Sequence, residues 1–235
     1  MWGLGVYMFA HRILALDPGK DIGGHRSRRA GPCPAGIRYP RAVTTADAHH
    51  TELWLLRHGE TAWSRSGQYT GRTDLPLTPE GEQQAIAAGV TLRGHSFDRV
   101  YTSPLQRARR TAELAGFPGA IRLPEAMEWD YGDYEGHTGD SLRAVDPTYL
   151  LWTHEIPRGE SLADVAARAD LVVEQFRSSS LRSVLLVSHG HFLRILAARW
   201  LGLPAPCAQH FSLATARICT LGWDHGLPAI VRWGL

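Results

Sequence analysis

Leu56-Arg57-His58-Gly59-Glu60-Thr61 sets an arginine and a histidine side by side at the end of an apolar run, Leu53-Trp54-Leu55-Leu56. Such a run reads as a short strand buried on both faces, and open α/β sheets place their ligands at strand ends of this kind. A second run, Val184-Leu185-Leu186-Val187, leads into Ser188-His189-Gly190-His191. If both strands lie in one parallel sheet, the two histidines emerge on the same edge. Arg57 beside the first, and Arg107 in the first turn of a helix, complete a positive pocket at a helix N-terminus. A neutral His58 in that pocket is able to attack phosphorus and carry the phosphoryl group covalently. Arg57, Arg107 and a protonated His189 would hold the equatorial oxygens. The leaving alkoxide needs a proton. Glu128, beside Trp129, is the best-placed acid to give it and later to activate water.

The elements that must position these groups alternate from Glu52 onward. Thr78-Pro79-Glu80 supplies a cap, a first-turn proline and an acid, opening a helix to about Leu92. Residues 99–102 read as a strand, and Ser103-Pro104 as another cap-plus-proline start for a helix through Leu114. Residues 120–123 suggest a third strand, and the Gly- and Asp-dotted 130–139 a loop. Ser161 and Asp164 resemble a capping box before a helix burying Leu162, Val165, Ala169, Val172 and Phe176. Residues 216–223 and 229–233 suggest a hairpin across Asp224-His225-Gly226. The pattern predicts an α/β fold, a three-layer α/β/α sandwich around a mostly parallel central sheet.

Composition narrows the chemistry. Lys20 is the only lysine in 235 residues, so 24 of the 25 basic residues are arginine. A phosphate-loop, Schiff-base or kinase-type lysine is therefore excluded beyond residue 20. Guanidinium forks suit tetrahedral oxyanions, although a GC-rich genome produces the same bias. Residues 1–50 hold seven basic and three acidic groups, residues 51–235 hold 18 and 20, so no basic stripe marks a nucleic-acid binder. No apolar stretch approaches the ~20 residues that span a bilayer. Three cysteines make no disulfide framework, which points to a reducing cytoplasm. Residues 1–50, rich in Gly, Pro and Arg and a poor signal peptide, read as a disordered extension or a start placed too early. Residues 51–235 then form the catalytic domain.

The motifs Leu56-Arg57-His58-Gly59-Glu60-Thr61, Gly71-Arg72-Thr73-Asp74-Leu75-Pro76-Leu77-Thr78, Thr102-Ser103-Pro104-Leu105-Gln106-Arg107-Ala108, Glu128 through Tyr134-Glu135-Gly136, Gly159-Glu160-Ser161 and Ser188-His189-Gly190 strongly resemble the histidine phosphatase superfamily in its phosphoglycerate-mutase-like branch. They occur in the family's order over roughly residues 52–235. The resemblance implies His58 as phosphoryl acceptor, Glu128 as proton donor, and Arg57, Arg107 and His189 as phosphate ligands. It also implies that backbone around Thr70-Gly71 and Gly190 lines the phosphate site, that the substrate is a small phosphorylated molecule, and that neither metal nor organic cofactor is needed. Homodimers are common in the family. Ser64 stands where members often carry asparagine, and it keeps one hydroxyl for the phosphoryl group. Residues 66–71 and 128–136 look most like small acid phosphatases of actinobacterial type and sedoheptulose bisphosphatases. Mutases of the branch carry a longer insertion before the second histidine, with extra basic residues. The short, lysine-free interval here favours a phosphomonoesterase over a cofactor-dependent phosphoglycerate mutase. The intact His58, Glu128 and His189 argue against an inactive phospho-ligand-binding module.

Several side chains have plainer readings. His191 makes an i, i+2 pair with His189, but no third metal ligand is suggested. Trp129, Tyr131 and Trp152 either wall the pocket or pack a lid. Arg109-Arg110 read as a solvated helix face. Arg158 stands either on the surface or near the pocket. Glu60 reads as a partner of Arg57 or His189 rather than an acid.

Overall fold

The computed structural model describes residues 50–235, and the expectation of an extension or early start over 1–50 falls outside them apart from His50. Strands β1 (Glu52–Arg57), β2 (Arg99–Thr102), β3 (Ile121–Arg122), β4 (Ser183–Ser188), β5 (Ile218–Asp224) and β6 (Leu227–Trp233) form one sheet in the order β3-β2-β4-β1-β5-β6. The first four strands in that order run parallel, while β5 and β6 add an antiparallel edge. The mostly parallel sheet and the terminal hairpin agree with the sequence reading.

Successive residues of a strand point to opposite faces, and β1 divides its side chains accordingly. Leu53 and Leu55, with Val184 and Leu186 of β4, pack against α5 (Leu162–Arg177) and α6 (Gly190–Trp200). Trp54 and Leu56, with Leu185 and Val187, pack against α2 (Pro79–Leu92) and α3 (Gln106–Leu114). This two-sided burial explains why both strands lack polar alternation, and it makes the three layers. Burying each leucine contributes roughly 1.5–3 kcal/mol.

The caps of α2 and α5 are as expected: Thr78 accepts from Gly81 N–H, and Ser161 and Asp164 form a capping box. At Ser103 the expectation fails. Helix α3 begins at Gln106, with Leu105 as its cap residue and no side-chain cap; the Ser103 hydroxyl accepts from Leu105 N–H at 3.3 Å, ahead of the helix, and faces His189 at 2.7 Å. Two short helices went unread: α1 (Ala62–Ser66), and α4 (Gly139–Val145) at the end of the expected loop. Both are closed by Thr/Ser capping boxes.

In the β1–β4 register Arg57 lies opposite Ser188, and in β2–β4 Thr102 lies opposite Val187. Three parallel strands therefore end level, delivering Arg57-His58, Ser103 and His189 to one edge. No helix among the described residues is long and apolar enough to cross a membrane.

Candidate active site

His58 leaves β1 into a buried position, its ring centroid 5.2 Å from that of His189. Its Nδ1 lies 2.7 Å from the Gly59 carbonyl oxygen. A carbonyl only accepts, so Nδ1 carries the proton and Nε2 presents a bare lone pair. Burial, reinforced by Arg107 and Arg57, pushes its pKa well below the ordinary histidine value. The ring is neutral.

His189 caps α6 and is fully buried. Arg107 Nε donates to its Nδ1 at 3.2 Å, and its Nε2 lies 2.7 Å from Ser103 Oγ. Guanidinium Nε is always a donor, so Nδ1 is bare and Nε2–H donates to the serine. Burial first, then Arg107, His58 and Arg57, hold its pKa far down. The protonated His189 expected from charge counting is thus corrected. A ring buried beside Arg107 and near Arg57 stays neutral rather than adding a third cation.

Arg107 is itself fully buried. Its Nη1 donates to Thr73 O at 3.1 Å, and its Nη2 donates to Thr70 O and Gly71 O, each at 3.0 Å. Every nitrogen of this side chain is engaged by protein, and it stands behind the cavity wall. Glu135 holds the same loop from the other side, accepting from the backbone N–H of Arg72 and, at 2.9 Å, of Thr73. A Cβ on Gly71 would lie 2.5 Å from Glu135 Oε1 and 2.7 Å from Trp129 O, so only glycine lets these segments meet.

Arg57 donates from Nη1 to Leu213 O at 2.5 Å, while its buried Nε has no partner among the described residues. Burial lowers its pKa, opposed by Glu128 and Tyr131. A Cβ at Gly190 would come within 3.1 Å of Arg57 Cζ, so the glycine makes room for the guanidinium at the start of α6. Glu128 follows a 3-10 turn, Pro124–Ala126. Its Oε1 accepts from Trp129 N–H at 3.0 Å and Phe192 N–H at 2.9 Å, its Oε2 from His191 N–H at 3.1 Å. The acid is thus tied to the N-terminal turn of the helix that His189 caps.

These groups surround a cavity of about 190 Å³ whose lining includes Arg57, His58, Ser64, Thr70, Glu128 and Gly190. The Ser64 hydroxyl is occupied in its own cap, accepting from Thr61 N–H at 2.8 Å and donating to Thr61 O at 3.1 Å. Thr70 Oγ1 donates to Gln68 O. The structure therefore gathers His58, Glu128 and Arg57 at the cavity, and sets His189, Arg107 and Gly71 just behind them.

Sequence reading missed further lining residues: Tyr69, His191 and Arg194. His191 and Arg194 are three apart on α6, a spacing that puts them on one helix face with the site. That was the available signal. Tyr131 lines the cavity, while Trp129 and Trp152 are buried and stack behind it. Glu60 meets neither Arg57 nor His189; it accepts from Arg65 Nε at 2.9 Å and Thr78 Oγ1 at 2.8 Å. Arg158 points to solvent and pairs with Asp133. Arg110 pairs with Glu82 on the helix surface.

A histidine with a bare Nε2, a partly buried guanidinium with a free donor and a carboxyl group share one small cavity, an arrangement suited to a phosphorylated ligand. Known proteins agree. Residues 53–235 match the model of the histidine phosphatase superfamily, branch 1. An acid phosphatase of Mycobacterium tuberculosis is 44% identical over 186 residues, covering 78% of this chain and 92% of that protein. Sedoheptulose 1,7-bisphosphatase of Saccharomyces cerevisiae is 33% identical over 181 residues, 63% of this chain and 67% of that protein. A solved structure of an open reading frame product from Mycobacterium tuberculosis superposes with TM-score 0.75 at 44% identity, covering 79% of this chain and 97% of that one. On its fold, its six motifs and these matches, the chain belongs to the histidine phosphatase superfamily.

Proposed function

We propose that residues 51–235 form a phosphomonoesterase domain that works through phosphohistidine on His58, without metal or organic cofactor. The observation that carries this is the His58 ring itself, with Nδ1–H fixed on Gly59 O, Nε2 bare and two arginines at hand. Nε2 forms a bond to phosphorus as the ester P–O bond breaks. The departing alkoxide takes the proton of Glu128. Glu128 then takes a proton from water as that water attacks phosphohistidine, releasing phosphate and restoring His58. Arg57, through the free Nε, and the Gly190 N–H at the start of α6 bind phosphoryl oxygens where charge spreads in the transition state. Arg107 and His189 stand behind them as the rest of the positive wall, and Ser64, Thr70, Gly71 and Gly190 shape the pocket. The similarity to acid phosphatase and sedoheptulose bisphosphatase supports a small phosphomonoester as substrate. Cys207 and Cys219, unpaired among the described residues, fit a cytoplasmic location.

Phosphate release from a panel of phosphomonoesters in excess chelator, wild type against His58→Ala, tests the reading. Release that disappears in the variant is expected. Release abolished by chelator, or unchanged in His58→Ala, contradicts it. Activity that requires added bisphosphoglycerate marks a mutase instead.

A further inference from the structure

We propose that Gln84 of α2 is a positioning residue for the nucleophile: it grips the peptide unit whose carbonyl holds His58 Nδ1–H, and so steadies the ring as it takes on charge. Its role in turnover rests on the phosphohistidine reading, whereas the grip itself does not.

The Gly59 carbonyl that accepts from His58 Nδ1–H at 2.7 Å belongs to the same amide as the Glu60 N–H. That N–H donates to Gln84 Oε1 at 3.0 Å. A backbone N–H only donates, so the amide oxygen of Gln84 is the atom that faces it. An unbroken row results: the Gln84 side-chain carbonyl, the Glu60 N–H, the Gly59 carbonyl and the His58 ring. Hydrogen bonds in such a row polarise one another. An acceptor at the N–H end shifts electron density onto the carbonyl oxygen, which then holds Nδ1–H more firmly.

Other contacts hold the neighbouring backbone but not this amide. Gly59 N–H donates to Thr111 Oγ1 at 3.0 Å, and His58 O accepts from Ala216 N–H at 3.1 Å. Both belong to the preceding peptide unit. Thr78 N–H donates to Glu60 O at 2.9 Å, on the following unit. Among the described residues, Gln84 alone engages the N–H of the unit that faces His58. Helix α2 comes this close because both points of contact are glycine. A Cβ on Gly59 would strike Gly81 O, and one on Gly81 would strike Glu60 O.

The row matters most when the ring becomes charged. Nε2 uses its lone pair to bond phosphorus, the ester oxygen leaves with the P–O electron pair and takes the Glu128 proton, and Nδ1 keeps its hydrogen. The imidazole therefore gains one positive charge on phosphorylation. Hydrogen bonds from a charged donor are about twice as strong as neutral ones. The Gly59 carbonyl, with Gln84 behind it, thus favours the transition state over the resting ring. Gln84 does not line the cavity, so it acts through His58 and not on the substrate.

Two measurements on two variants test the proposal. Gln84→Met removes the acceptor but keeps the side-chain length, on a helix that tolerates methionine well. Gln84→Glu keeps an acceptor. The first measurement is the NMR proton resonance of His58 Nδ1–H, assigned by its loss in His58→Ala. It should move upfield in Gln84→Met, as its hydrogen bond weakens, and return at least to the wild-type position in Gln84→Glu. An unmoved resonance in Gln84→Met overturns the proposal. The second is the rapid-quench rate of His58 phosphorylation by a phosphomonoester, with inhibition by inorganic phosphate measured beside it. The rate should fall about threefold to tenfold in Gln84→Met and recover in Gln84→Glu, while phosphate inhibits all three proteins equally. Equal losses in both variants, or phosphate binding weakened as much as the rate, would mean general loosening and overturn the proposal. A resonance that moves as expected in a protein forming no phosphoenzyme upholds the grip on His58 and sinks the phosphatase reading.

Discussion

Arg107 Nε donates to Nδ1 of His189 across 3.2 Å, and this contact fixes the histidine as neutral with its proton on the nitrogen facing Ser103. Replacing the arginine should release it. In Arg107→Met the His189 pKa is expected to rise, because Arg107 is the largest charge effect holding it down after burial. Titration by NMR of the imidazole carbons would show the shift, and an unchanged pKa would contradict this assignment. The same variant leaves Thr70 O, Gly71 O and Thr73 O without their donor, at an expected cost of about 2–4 kcal/mol in stability.

Burial holds His58, His189 and His191 well below the ordinary histidine value. Each binds a proton more readily in the unfolded chain, so stability rises with pH across the window from the folded value up to about 6.5. Folding free energy should therefore fall as pH drops below about 6.5, at up to about 4 kcal/mol per pH unit for three groups. Denaturant unfolding at pH 5 and pH 7 checks it, with flat stability as the contrary result. For the same reason a nucleophile kept neutral by burial should keep kcat/KM high into mildly acid solution.

Glu128 sits on irregular backbone and needs an external hold. Arg168 provides it, pairing with Glu160 at 2.8 Å through both Nε and Nη2 while Nη1 donates to Met127 O at 3.1 Å and Glu125 O at 2.5 Å. Glu160 in turn accepts from Asp130 N–H at 2.9 Å. Arg168→Met should lower kcat by about tenfold or more, a fraction of the ~10²–10⁴ that acid–base help supplies. The loss should be greater for alkyl than for aryl phosphates, because poor leaving groups depend more on the proton. Equal losses would show a general loosening instead.

Gly190→Ala places a methyl group 3.1 Å from Arg57 Cζ. The first position of a helix accepts alanine readily, so the melting temperature should hold while KM rises about tenfold, as displacement of a binding group by a few tenths of an ångström predicts. A KM equal to wild type would show that Arg57 does not contact the phosphoryl group.

Much of the fold was legible because its signals are local. Leu53–Leu56 and Val184–Val187 are apolar without alternation, and only a strand covered on both faces asks for that. Thr78 and Ser161 announce their helices by side-chain caps. Ser103 misled because serine before proline is a common helix start, whereas here its hydroxyl is drawn to a histidine 86 positions away. The protonation of His189 was unreadable for a related reason: it depends first on how deeply the ring itself is buried and then on Arg107, which no local pattern reports. His191 is weighed from sequence only as an i, i+2 partner of His189, and Arg194, three positions further along the helix, carries no motif of its own. Their partners, Tyr131 and the carbonyls of Ala208 and Gln209, come from distant segments.

The central claim is a covalent phosphoryl group on Nε2 of His58. Rapid quenching during turnover of a ³²P-labelled phosphomonoester, followed by peptide mapping, tests it most directly. Acid-labile, alkali-stable label on the peptide containing His58, and none in His58→Ala, is the predicted result. Full turnover by wild type with no trapped label, or label on another residue, would contradict it.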